Sequence, residues 1–151
     1  MASLKQVAMI HTGFITARHK DEERRAGVFL HSKYGQPLFF DILARKYPEI
    51  QFILCHMGGS IWTREAVEMV NQHDNVWGDI SGSGLLALGR IVREDIAVDW
   101  FKIFWGNDSS PFMYPYNLKL LLYYLSESGD SDKAPQLLYE NAKRFITDYL
   151  S

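Results

Sequence analysis

Two histidines and an aspartate stand at the ends of short apolar runs: His11 in AMIHTG, His56 in FILCHMGG and Asp108 in IFWGND. Each run reads as a β-strand, with the polar residue at its C-terminal end. Parallel α/β architectures gather their chemistry there. Imidazole and carboxylate are the usual ligands of a catalytic divalent ion, and three such groups delivered from three strand ends can meet at one ion. The pattern therefore points to a metal-dependent enzyme acting on a small molecule. No His-x-His pair occurs anywhere in the chain.

The glycines after His11 and His56 let the backbone turn sharply and leave room for a ligand beside each ring. Side chains alternate along a strand, so with His56 facing the ligand side Cys55 is expected to face the helix layer as a core residue. Asp108 can ligate a metal or take a proton from bound water, against a purely local role in an Asx-turn. Asp79 in WGDISG can hydrogen-bond a ligating imidazole from behind or simply support its own turn, and the second reading is favoured. His19, His31 and His73 read as structural, His73 from its place at a helix C-terminus. Trp62, Trp77, Trp105 and Phe112 can line a pocket, although aromatic residues at such positions are more often core. Gly82 and Gly84 do not form a dinucleotide fingerprint.

These residues need a frame to position them. Strands are expected over Gln6–His11, Gln51–His56, Asn75–Ile80 and Phe101–Trp105. Helical patterns follow each: Gln36–Tyr47 with Pro37 in its first turn, Thr63–His73, Leu85–Asp95, then Leu118–Ser126 and Ala134–Tyr149. The charge-dense segment Thr16–Arg25 reads as a loop or solvated helix, able to act as a lid. Strand followed by helix, four times over, implies a parallel sheet.

With 47% hydrophobic and 14% aromatic residues, the 151-residue chain has ample material for one ordered domain, residues 1–151. A net charge of -2, evenly dispersed, gives no basic face for nucleic acid. One cysteine excludes an internal disulfide and fits a cytoplasmic setting. No apolar run approaches a membrane span or a signal segment.

Taken in order, HTG, PLFFDILARKYPEIQFILCHMGG, NVWGDISG, FKIFWGND and LLYENAKRF resemble the C-terminal half of the amidohydrolase-2 family of metal-dependent TIM barrels, which includes hydrolases and nonoxidative decarboxylases (lyases). The resemblance implies four βα units of a (β/α)8 barrel. It implies His11 as a metal ligand, His56 as the acid/base or substrate-facing histidine, and Asp108 as ligand and proton shuttle. The implied ion is zinc, with manganese as the other choice. A closed barrel takes about 200 residues or more, so a half-barrel completed by a homodimer or higher oligomer is expected, possibly with four strands from each copy around one axis. Two rival readings remain: a catalytically silent half-barrel with a structural or partner-binding role, which the missing His-x-His favours, and an unrelated flavodoxin-like sheet, for which no phosphate loop is present.

Overall fold

Four apolar runs form one parallel sheet in sequence order, as seen in a computed structural model that describes residues 6–15, 21, 24–27 and 31–150. Most of the charged segment at 16–25, including His19, lies outside the described residues. The strands are β1 (Gln6–His11), β2 (Ile50–Cys55), β3 (Val76–Asp79) and β4 (Ile103–Phe104). Residue pairing runs His11 with Cys55, Leu54 with Gly78 and Asp79 with Phe104, so the strand ends carrying the chemistry are aligned. This arrangement is compatible with part of a TIM-type barrel.

The helices are α1 (Asp41–Lys46), α2 (Thr63–Gln72), α3 (Gly84–Arg93), α4 (Tyr114–Ser128) and α5 (Asn141–Tyr149). Two expected boundaries shift for identifiable reasons. The Asp99 side chain accepts the Phe101 N–H and winds Trp100–Lys102 into a 3-10 turn, which shortens β4 to two residues. Pro37 opens a 3-10 turn over Pro37–Phe40 before α1 begins. The last helical pattern, expected over Ala134–Tyr149, is preceded by a 3-10 turn over Ser131–Lys133 and carries a π turn over Gln136–Glu140 ahead of α5.

Both faces of the sheet are covered, unequally. On the outer face Phe52, Leu54, Val76 and Ile103 pack in one cluster with Val70, Leu88, Leu121 and Leu125 of the helices. The inner face is partly filled by α5. Its Phe145 and Tyr149 pack on Ile53, Trp77, Val7 and Phe104. Trp77 stacks on Phe104 at 5.3 Å between centroids and meets the Phe145 ring edge-on at 5.0 Å. The indole N–H is satisfied by Gln51 Oε1 at 2.8 Å, as a buried donor must be.

The same C-terminal segment seals one edge of the sheet. The Trp105 N–H donates to the Leu137 carbonyl at 3.1 Å, and the buried Asn141 amide donates to the Trp100 and Ile103 carbonyls, both at 2.7 Å. These partners take up the outward backbone groups of β4 that would otherwise invite another strand.

Truncating Phe145 to alanine removes a buried ring, at an expected cost of about 3 kcal/mol in urea unfolding. Ile146→Ala, at an exposed neighbouring position, is expected to stay within about 0.5 kcal/mol. Equal effects from the two would contradict this packing.

Candidate functional site

A cavity of about 540 Å³ opens at the C-terminal ends of the strands, above the part of the inner face that α5 fills. Its lining brings together His11, His56, Asp79 and Asp108, all singled out from sequence. It also includes Met9, Ser81 and Gly106, which were not, and Cys55, which was expected in the core.

His56 follows the last residue of β2, and its backbone leaves the extended region at φ 66, with Met57 after it at φ 47. Non-glycine residues adopt such angles only where the surroundings compel them. Two fixtures do so here. Thr12 Oγ1 donates to the Cys55 carbonyl at 2.6 Å and accepts the Gly58 N–H at 2.8 Å, tying the end of β1 to the turn. The Asp79 carboxylate accepts the His56 N–H at 3.3 Å. It also accepts the N–H and hydroxyl of Ser81. Asp79 therefore supports its own turn and the His56 backbone together. Burial pushes its carboxyl above the usual carboxylate value, and the hydrogen bonds from Ser81 and His56 pull it back.

The turn also explains Cys55. Strict alternation predicts opposite sides for Cys55 and His56, yet both line the cavity, because the positive φ of His56 swings its side chain round to the face that Cys55 already occupies. The expectation of a core cysteine in the helix layer is thus corrected. Burial, with Asp79 and Asp108 adding to it, pushes the Cys55 thiol up to about 11. It is a neutral thiol at ordinary pH.

The His56 ring has a defined orientation. Nδ1 lies 2.9 Å from the Ser81 carbonyl oxygen. A carbonyl only accepts, so Nδ1 carries the proton and the neutral ring presents a bare Nε2. Nε2 stands 3.7 Å from Asp108 Oδ2, with the histidine side chain 12% and the aspartate 62% exposed. At that distance the two attract as an ion pair once the ring is protonated. A Cβ at Gly82 would stand 3.0 Å from Asp108 Oδ2 and 3.5 Å from His56 Nδ1, so only glycine leaves this approach open. The His11 ring meets the His56 ring edge-on, centroids 5.0 Å apart, and its Nε2 lies 3.2 Å from the Phe14 carbonyl oxygen.

Asp108 too has a positive φ, of 40°. Its loop is held by a set of amides that sequence reasoning missed. Buried Asn117 of α4 donates to Asn107 Oδ1 and Ser109 Oγ, both at 2.9 Å, and Asn107 donates to the Ser109 carbonyl at 2.9 Å. The partners are up to ten residues apart with no fixed spacing, so no local pattern announces them. Ser81 was findable, since Asp-x-Ser before glycine is a common turn signature.

Other candidates lie elsewhere. His31 caps a 3-10 turn through the Lys33 N–H. Buried His73 pairs with Asp41 at 2.8 Å, a link between α1 and the end of α2. Trp77 and Trp105 belong to the packed clusters, Trp62 lies near Phe14, and Phe112 is exposed; none of the four lines the cavity.

A family model of amidohydrolases matches residues 1–146. The chain belongs to the amidohydrolase family. No curated protein matches it. The family is generally metal-dependent and comprises hydrolases and decarboxylases. Among the described residues no helix is long and apolar enough to cross a membrane.

A divalent ion can be tested against this amidohydrolase's donor set. Imidazole and carboxylate are the right ligand types. Their placement does not complete a centre: among the described residues no three His, Cys, Asp or Glu side chains form a group able to hold a metal. His11 and Asp108 are at most part of a ligand set.

Two outcomes follow. Alkylation of Cys55 by iodoacetamide at pH 8 is expected to run about tenfold or more slower than for a free cysteine, since the scarcer thiolate outweighs its greater intrinsic reactivity; a rate matching the free amino acid would contradict the assigned environment. Asp79 holds its proton more tightly folded than unfolded, so it contributes stability in acid that is lost as pH rises through its raised value. Asp79→Asn is expected to abolish that part of the pH dependence of urea unfolding, and an unchanged profile would contradict it.

Proposed function

We propose that this chain is a hydrolase or nonoxidative decarboxylase acting on a small molecule in the strand-end cavity, with His56 as the proton-transfer group and Asp108 as its charged partner. The observation that carries the reading is the commitment of His56 Nδ1 to the Ser81 carbonyl, which leaves Nε2 bare beside the Asp108 carboxylate. In hydrolysis Nε2 takes a proton from water as the water oxygen attacks the substrate carbon, and the imidazolium gives that proton to the leaving group as its bond to the carbon breaks. Asp108 stabilises the imidazolium that forms. In decarboxylation the ring starts as the imidazolium, protonated from solvent, and gives its Nε2 proton to the carbon as the bond from that carbon to the departing carbon dioxide breaks. Either use needs the tautomer that Ser81 imposes.

Zinc, or manganese, held in part by His11 and Asp108 is the cofactor this reading takes from the family, where it would polarise the substrate and lower the pKa of bound water. The second reading, a silent domain with a structural or partner-binding role, is favoured by the absence of a three-ligand group among the described residues.

A substrate screen of the metal-supplemented protein separates the two. Turnover that falls about 10²-fold or more in His56→Asn is expected from a general base. Elemental analysis should show zinc or manganese that falls in a His11→Ala, Asp108→Ala double variant. No turnover and no bound metal would establish the silent reading, and turnover indifferent to His56→Asn would overturn the assigned role.

A further inference from the structure

An asparagine occupies a place on α4 where the helical period calls for an apolar side chain. Asn117, Leu121 and Leu125 stand one turn apart and are the buried residues of this helix. Spacing of that kind marks a stripe packed on the core, where leucine is the usual occupant. An amide there loses its water, which is unfavourable unless protein groups take the water's place. Here they do. The Asn117 amide donates to Asn107 Oδ1 and to Ser109 Oγ, each at 2.9 Å, and so uses both of its protons. The two acceptors flank Asp108. They are also joined to each other, Ser109 Oγ donating to Asn107 Oδ1 at 3.2 Å and Asn107 Nδ2 to the Ser109 carbonyl at 2.9 Å.

Asp108 itself is held more loosely. Its side chain is 62% exposed, and Oδ2 stands 3.7 Å from His56 Nε2, beyond hydrogen-bond reach, so the ring does not fix the carboxylate. Its backbone has a φ of 40°, a left-handed conformation that a non-glycine residue keeps only where its neighbours impose it. Those neighbours are Asn107 and Ser109, and both are tied to α4. We propose that Asn117 is a positioning residue, which holds the Asp108 carboxylate at His56 Nε2 by bridging the residues on either side of it. The assignment rests on the acid/base reading of His56 and adds to it the group that places the ring's charged partner. Asn117 lies outside the cavity lining, so its effect on the chemistry passes through the loop. An amide in an apolar stripe serves orientation here, where leucine would serve packing.

Asn117→Leu keeps the branched shape and removes both donors. Should it fail to fold, Asn107→Ala combined with Ser109→Ala removes the two acceptors from the more exposed side instead. Backbone NMR relaxation should give Asp108 an order parameter near the roughly 0.85 of rigid backbone in the wild type and below about 0.6 in either variant. In nitrogen-15 spectra with the ring neutral, the His56 Nε2 signal should move in Asn117→Leu toward its position in Asp108→Asn, and no further when the two are combined. A merely structural role would shift it equally with and without the carboxylate. Where the substrate screen gives turnover, kcat should fall about tenfold or more with KM unchanged, again with no added loss in Asp108→Asn. Wild-type order at Asp108, or an Nε2 signal unmoved by Asn117→Leu, would overturn the proposal. Turnover that needs His56 yet is indifferent to Asn117→Leu would overturn it too, and leave the acid/base reading standing. Absence of turnover would remove that reading alone, because the order parameter and the ring signal report the placement of the carboxylate without a substrate.

Discussion

The carboxylate of Asp79 accepts hydrogen bonds from the His56 amide and from the amide and hydroxyl of Ser81, and the geometry of the cavity rests on that one buried acceptor. Left-handed backbone at His56 and Met57 is strained. The strain persists because the Asp79 carboxylate on one side and the Thr12 hydroxyl on the other satisfy the groups that the turn exposes. Ser81, fixed by the same carboxylate, in turn offers its carbonyl to the His56 ring. Backbone conformation, ring orientation and tautomer are thus three consequences of one buried charge.

The lower sheet obeys a different constraint. An open parallel sheet presents an inner face that water solvates poorly, and α5 answers it with Phe145 and Tyr149 against Trp77 and Phe104. The chain that leads into α5 passes β4 and takes up its outward backbone groups. One segment therefore finishes one edge and part of one face together, leaving the upper inner face as the cavity.

Much of this was legible in the sequence where the signal is local. β1 has the expected bounds because QVAMIH is a continuous apolar run stopped by Thr12-Gly13. The strand order and the meeting of His11, His56 and Asp108 around one cavity follow from the repeated strand–helix pattern. What escaped depends on contacts between distant residues. Alternation places Cys55 correctly only while the strand lasts, and the positive φ of His56 ends it one residue early. Nothing in the spacing of Asn107 and Asn117 tells that they clamp the Asp108 loop, nor does the apolar stripe of α5 say which face of the sheet it will cover.

The central claim is that neutral His56 carries its proton on Nδ1 and turns a bare Nε2 into the cavity. Nitrogen-15 NMR of the histidine-labelled protein, with His56 assigned by substitution, reads this directly above the ring's titration. The account predicts a protonated Nδ1 coupled to a slowly exchanging hydrogen and an unprotonated Nε2. A neutral His56 protonated at Nε2 would contradict it, because the ring would then have no lone pair in the cavity with which to take a proton.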